Sequence, residues 1–294
     1  MNITIANVSF LITCAETPLL TQALPEAYRS FVGQRKVVNN GVSPVDLVVT
    51  TKEMPSLERM EKIFACGDSW AVCREGNVDY LVMNPSLAGG PECVARFDPA
   101  YEKVTVYCGK INVVEIEGRK MVRNPLVYPL DQLLMMYLLA SKEGALIHAA
   151  CADINGKGYL FPGRSGAGKS TIARLFASEG YETLSDDRVI IRHIDGLFRS
   201  FGTPWPGDAQ IAVNRHLPLA GIFFLAQSTA NRVVGITPRE ALEKLLPVTS
   251  IPWYDAETMS KILAFLNGLV ATVPSYVLYF TPDRSAVDLV VSQG

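Results

Sequence analysis

Residues 163–170 read Gly-Arg-Ser-Gly-Ala-Gly-Lys-Ser, the pattern G-x-x-x-x-G-K-[ST], and no other stretch constrains the chain as much. Its glycines allow positive φ angles and a close approach of backbone to an anion. Successive N–H groups can then form a nest for phosphate at a helix N-terminus. The flanks agree with that geometry. Lys157–Phe161 reads as a short strand, and Ser170–Glu179 as a helix with Ile172, Leu175 and Phe176 at helical spacing. Gly180 stands where a helix C-cap belongs. Strand, glycine loop and helix together predict a nucleotide phosphate site formed by Gly163, Arg164, Ser165, Gly166, Ala167, Gly168, Lys169, Ser170 and Thr171. In such a site Lys169 reaches the β- and γ-phosphates and the Ser170 hydroxyl ligates Mg²⁺, so ATP and Mg²⁺ are the expected ligands.

The chain has 294 residues, enough for one large or two ordinary domains. Hydrophobic residues make up 49% and charged ones 19%, so a sizeable core can be buried. The net charge of −2 leaves no electrostatic footprint for nucleic acid. Six cysteines occur without C-x-x-C spacing, which predicts reduced, mostly buried thiols in a cytoplasmic protein rather than a disulfide framework or metal cluster. The first residues lack a basic secretory start, and no run of 18 apolar residues suggests a membrane span.

Residues 1–125 read as a β-rich domain without recognisable chemistry, and 126–294 as a second domain carrying the loop. In the first, strands are expected at Ile3–Thr13, Asp46–Thr51, Trp70–Arg74, Asp79–Met83, Lys103–Cys108 and Ile111–Ile116, with a short helix at Pro25–Val32. In the second, Pro129–Lys142 is an almost wholly apolar, interior helix, followed by the strand Ala145–Ala152. Asn155-Gly156 marks a hairpin into the strand that delivers the loop. Thr183–Ile191 reads as a strand interrupted by two acids; later strands are expected at Gly221–Leu225, Arg232–Ile236 and Ser275–Thr281. Thr237-Pro-Arg-Glu240 is a capping box for a helix ending near Leu246, and Asp255 caps another reaching about Leu269.

The pair Asp186-Asp187 begins 17 residues beyond Lys169, where a helix and a short return strand bring acids back toward the phosphates. Phosphoryl transfer needs an acid at a metal ion and, in many kinases, one that orients the acceptor hydroxyl. Adjacent carboxylates point in different directions, so the two tasks can be divided. The plainer alternative is a solvated turn with Asp187 paired to Arg188. A lone histidine on an apolar strand, as His148 is, is usually a core residue with a hydrogen bond, but the adjacent strand leads directly into the loop, which makes His148 a site candidate as well.

Ile147-His148-Ala-Ala, the Asn155-Gly156 hairpin, Gly163–Ser170 and Leu184-Ser-Asp186-Asp187 together resemble the catalytic domain of bacterial HPr kinase/phosphorylase. The resemblance covers about residues 128–210. It implies an α/β fold with a mixed sheet, a phosphate-loop kinase domain of phosphoenolpyruvate carboxykinase-like type behind the β-rich N-terminal domain. It also implies roles. Asp186 would be the general base toward an acceptor serine, Asp187 and His148 would support it and bind phosphate or metal, and Lys169 would stabilise the transferring group. The family's Glu-x-Arg-Gly segment is absent. Phe201-Gly-Thr-Pro-Trp-Pro-Gly-Asp208 stands in its place and resembles divergent members tied to peptide modification. Thr203, Trp205 and Asp208 are candidates for the acceptor or metal site, with Ser170, Asp187 and Asp208 as the metal set. A packed anchor for Trp205 and a helix cap for Asp208 are the competing readings. Arg164 either binds a further phosphate or faces solvent.

The expected function is an ATP- and Mg²⁺-dependent kinase acting on a hydroxyl, a serine of a protein or peptide or a small molecule. The alternative is a non-catalytic nucleotide-binding partner in a larger assembly. Phosphorylase activity and HPr as substrate do not follow from these residues, and a homo-oligomer is left open. A transport ATPase would carry a Leu-Ser-Gly-Gly-Gln-like signature, which is absent.

Overall fold

The computed structural model describes residues 1–20, 24–33, 44–98 and 101–293. It divides into two compact units, Met1–Leu134 and Met135–Gly294.

In the first unit the strands are β1 (Asn2–Ile5), β2 (Val8–Cys14), β3 (Leu19–Leu20), β4 (Val32–Gly33), β5 (Val45–Thr50), β6 (Glu61–Cys66), β7 (Trp70–Glu75), β8 (Val78–Met83), β9 (Cys93–Phe97), β10 (Lys103–Cys108), β11 (Val113–Ile116) and β12 (Arg119–Arg123). Nine of them form one sheet in the order β4-β1-β2-β5-β10-β9-β8-β7-β6, and β11, β12 and β3 form a small second sheet. Ile3–Thr13 is a hairpin rather than one strand. Ala6 and Asn7 take φ of 49° and 61°, the left-handed pair that a tight two-residue turn requires. The first two residues of the expected Ile111–Ile116 strand belong to a 3-10 turn, Lys110–Asn112, before β11. The predicted short helix is the 3-10 segment Glu26–Phe31.

The second unit is mixed α/β. Helix α1 (Leu130–Ser141), within which the division falls, leads to strands β13 (Gly144–Ile154) and β14 (Lys157–Pro162). Helix α2 (Lys169–Ser178), β15 (Glu182–Ser185), β16 (Arg188–Ile194), β17 (Leu197–Phe201), β18 (His216–Gln227) and β19 (Arg232–Gly235) follow. Helices α3 (Pro238–Leu245) and α4 (Ala256–Thr272), strand β20 (Ser275–Phe280) and helix α5 (Arg284–Val291) complete it. Strands β14, β13, β16, β17 and β18 pair in a closed ring, because β14 also joins β18. Strands β14, β18 and β20 run parallel side by side.

Both faces of this sheet are covered, which is why its strands read as continuous apolar runs. Along β13, Ala145, Ile147, Ala149 and Cys151 enter one core with Ile262, Leu266, Leu269 and Val273 of and just beyond α4. Ala150, Ala152 and Ile154 enter the other with Ile172, Ala173 and Phe176 of α2 and with Ala286, Val287 and Val290 of α5. Fully buried Phe161, Phe176 and Phe223 anchor that second core, each contributing about 1.5–3 kcal/mol by removal from water. It clamps α2, and so its N-terminus, against the end of β14. Among the described residues no helix is long and apolar enough to cross a membrane.

Candidate functional site

Strand β14 ends at Pro162 and the chain turns at once into the glycine loop, which closes on α2 at Lys169. Gly166 and Gly168 take φ of 82° and 102°, so the left-handed geometry the motif demands is present. A Cβ on Gly168 would lie 2.9 Å from Phe280 Cζ, so the loop rests directly on the aromatic floor at the end of β20. Gly163 N–H donates to the His148 carbonyl at 3.0 Å and Ala167 N–H to the Arg164 carbonyl at 3.1 Å. The N–H groups of Lys169, Ser170 and Thr171, in the first turn of α2, find no acceptor among the described residues. They and the helix dipole present a positive end to an anion. Arg164, Ser165 and Gly166 are exposed at the rim.

Lys169 is only 7% exposed, and its Nζ donates to the Arg164 carbonyl at 3.1 Å. Burial pushes its pKa down. Asp187 opposes that, Arg188 reinforces it, and Asp186 and Asp208 oppose it more weakly, leaving a net depression. The acids predicted from the sequence therefore do lie within electrostatic reach of the loop lysine.

The two adjacent acids have different surroundings. Asp187 Oδ1 lies 2.7 Å from His148 Nε2 and its Oδ2 lies 3.0 Å from Arg188 NH1. Its backbone carbonyl accepts from Ala149 N–H at 3.0 Å, which registers it beside His148 on β13. Burial alone would raise the Asp187 pKa, but the hydrogen bond to His148 and the charges of Arg188, His148 and Lys169 hold it below the ordinary carboxylate value. The Asp187–Arg188 pairing is real, yet it is partly buried beside Lys169 rather than solvated in a turn.

Asp186 is 1% exposed. Its Oδ1 accepts from Gly207 N–H at 2.8 Å and Ile211 N–H at 3.3 Å, and its Oδ2 from Ala209 N–H at 2.7 Å. The carboxylate thus holds the loop after β17 through these three N–H groups. The physical reason is that this loop has no ladder for its own N–H groups, and a buried carboxylate satisfies them. A Cβ on Gly207 would lie 2.9 Å from Asp186 Oδ2, so glycine permits that approach.

The same loop accounts for the other candidates. Thr203 is fully buried, and its hydroxyl donates to the Arg188 carbonyl at 2.6 Å; the Ser185 hydroxyl donates to the same carbonyl at 2.7 Å. Trp205 is 5% exposed, in keeping with a packed anchor. Asp208 is exposed in a turn, and no helix begins there, so it caps none. Among the described residues no three His, Cys, Asp or Glu side chains are grouped to hold a metal ion. Arg188 pairs with Asp187 at 3.0 Å, and its place after the acid pair and before an apolar strand is the sequence signal for it.

A mixed α/β unit with a glycine loop at the N-terminus of a helix, and a carboxylate–imidazole pair facing that loop's lysine, is the class that fold and site define. The family model described as "SynChlorMet cassette protein ScmC" matches residues 115–282, more than half of the chain, and the chain belongs to that family. It is also distantly related to the HPr kinase/phosphorylase of Lactiplantibacillus plantarum, with 31% identity over 117 residues, 40% of this chain. The matched part is 34% of that relative's length, so the chain spans about a third of it. The HPr(Ser) kinase/phosphatase from Coxiella burnetii aligns over 50% of this chain and 87% of its own, with 13% identity and a TM-score of 0.31.

Proposed function

We propose that the second unit binds ATP with Mg²⁺ on Gly163–Ser170 and transfers the γ-phosphoryl group to a hydroxyl, a serine of a protein or peptide. Asp187, rather than Asp186, is the group that aims the acceptor. The observation that carries this reading is the partition of the two acids: Asp186 is occupied by three backbone N–H groups, whereas Asp187 sits 2.7 Å from His148 and is the strongest charge acting on Lys169.

The residues divide the work as follows. The free N–H groups of the first turn of α2, with Lys169, hold the phosphates and stabilise charge on the group in flight. Asp187 accepts the hydrogen of the acceptor hydroxyl. As the acceptor oxygen bonds to the γ-phosphorus, the bond to the bridging oxygen breaks, ADP leaves with that electron pair, and the proton passes to the Asp187–His148 pair. His148 and Arg188 hold the Asp187 carboxylate ionised and oriented. Bound Mg²⁺ would neutralise the β- and γ-phosphate oxygens. With no cluster of three ligating side chains among the described residues, its protein ligands would be the Ser170 hydroxyl and one carboxylate, Asp187 or Asp208, with phosphate oxygens completing the shell.

Transfer of labelled γ-phosphate to serine-containing peptides tests this. The parent and an Asp186 variant that still folds should transfer, while Asp187→Asn should lose about 10²–10⁴-fold. An Asp187→Asn variant as fast as the parent refutes the assignment. The second reading, a non-catalytic nucleotide-binding partner in a cassette assembly, is favoured by the family's description as a cassette protein. Tight ATP binding with no transfer to any tested acceptor would select it.

A further inference from the structure

The order of strands around the glycine loop carries information that the loop itself does not. Strand β14, which delivers the loop, has β13 on one side and β18, then β20, on the other. His148 lies on β13, and Asp187 registers against it. The reacting end of a bound triphosphate therefore belongs on the β13 side. The carboxyl ends of parallel strands are where such sheets bind ligands, and β14, β18 and β20 are parallel. The remaining, non-reacting end must then extend over the ends of β18 and β20.

The loops after β18 and β20 are tied to each other. Ser228 N–H donates to the Phe280 carbonyl at 3.1 Å. The Asn231 side chain accepts from Thr281 N–H at 2.6 Å and donates to Asp283 Oδ1 at 2.9 Å, tying the two loops together. Gln227 is the last residue of β18 and pairs in register with Phe280. Registered neighbours in a parallel pair share a face, as do alternate residues along a strand. Phe280 and Leu225 both face the loop, lying 2.9 Å and 3.9 Å from where a Gly168 Cβ would stand. Gln227 is on that same face, one step further out and exposed.

We infer that Gln227 and the loops after β18 and β20 form the subsite for the nucleoside half of the nucleotide, with the Gln227 amide, a donor and an acceptor together, reading a nucleobase edge. This rests on the phosphate reading of the glycine loop, and the test separates the two. The affinities of the full chain for Mg-ATP and for magnesium tripolyphosphate are measured for the parent, for Gln227→Ala, and for Thr229→Trp, which places bulk on the loop after β18. The parent should bind ATP more tightly than tripolyphosphate. Each variant should lose about tenfold or more for ATP while tripolyphosphate changes less than about twofold. Variants that lose both ligands equally, or neither, overturn the subsite, as does a parent that prefers tripolyphosphate. A parent that binds neither ligand overturns the loop reading and the subsite with it.

Discussion

Replacing Asp186 with alanine should act chiefly on stability. Its buried carboxylate accepts three backbone N–H groups, at 2.7, 2.8 and 3.3 Å. A hydrogen bond to a charged group contributes about 1.5–3 kcal/mol, and an orphaned buried donor costs a similar amount. The two short bonds set the scale and the long one adds little. Water entering the gap offsets part of the loss, so the net cost is about 3–4 kcal/mol. That is a large share of the roughly 5–15 kcal/mol by which domains are stable. For a unit of this size each kcal/mol moves the midpoint by about 2–4 °C, so thermal melting of the full chain should fall by about 6–16 °C. Asp187→Ala, at a partly exposed site, should fall by much less. A midpoint for Asp186→Ala within about 3 °C of the parent, or a larger fall for Asp187→Ala, would refute the anchoring role.

Three further outcomes are expected. Gly168→Ala should abolish nucleotide binding in a titration, because the residue sits at φ 102° and the new methyl would meet Phe280 at 2.9 Å; unchanged affinity would show that the loop does not need this geometry. The depressed Asp187 pKa gives stability that is complete above the ordinary carboxylate range and lost as pH falls through the lower folded value. Asp187→Asn should therefore flatten the acid limb of the melting profile below about pH 4, and an unaltered limb would contradict the pairing. Thr237→Ala removes the hydroxyl that accepts from Glu240 N–H at 3.3 Å in a capping box; it should cost about 1 kcal/mol in denaturant unfolding without altering transfer, and no cost would remove the cap from the account.

The parts of the fold legible in the sequence were those whose signal is local. The glycine loop, the Asn155-Gly156 turn, the Thr237 box and the Asp255 cap each declare themselves within a few residues, and each is present. Strand β6 escaped notice because most of its residues are exposed at a sheet edge, so no buried periodicity marks it. The short helix α5 carries only a brief apolar pattern, and β17 is likewise short. For the site, adjacency of Asp186 and Asp187 revealed that they diverge but not which of them holds the loop after β17. The deciding partners, Gly207, Ala209 and Ile211, lie more than 20 residues away in a loop without periodicity. Asp208 illustrates the same limit: its residue type suits a cap, and only the fold shows that no helix starts there.

Calorimetric titration of Mg-ATP into the full chain and into Lys169→Ala tests the central claim most directly. Saturable binding of one nucleotide per chain in the parent, and at least a tenfold loss in the variant, is the expected result. No heat from the parent, or equal affinity in both proteins, would contradict the assignment of Gly163–Ser170 as a nucleotide cradle.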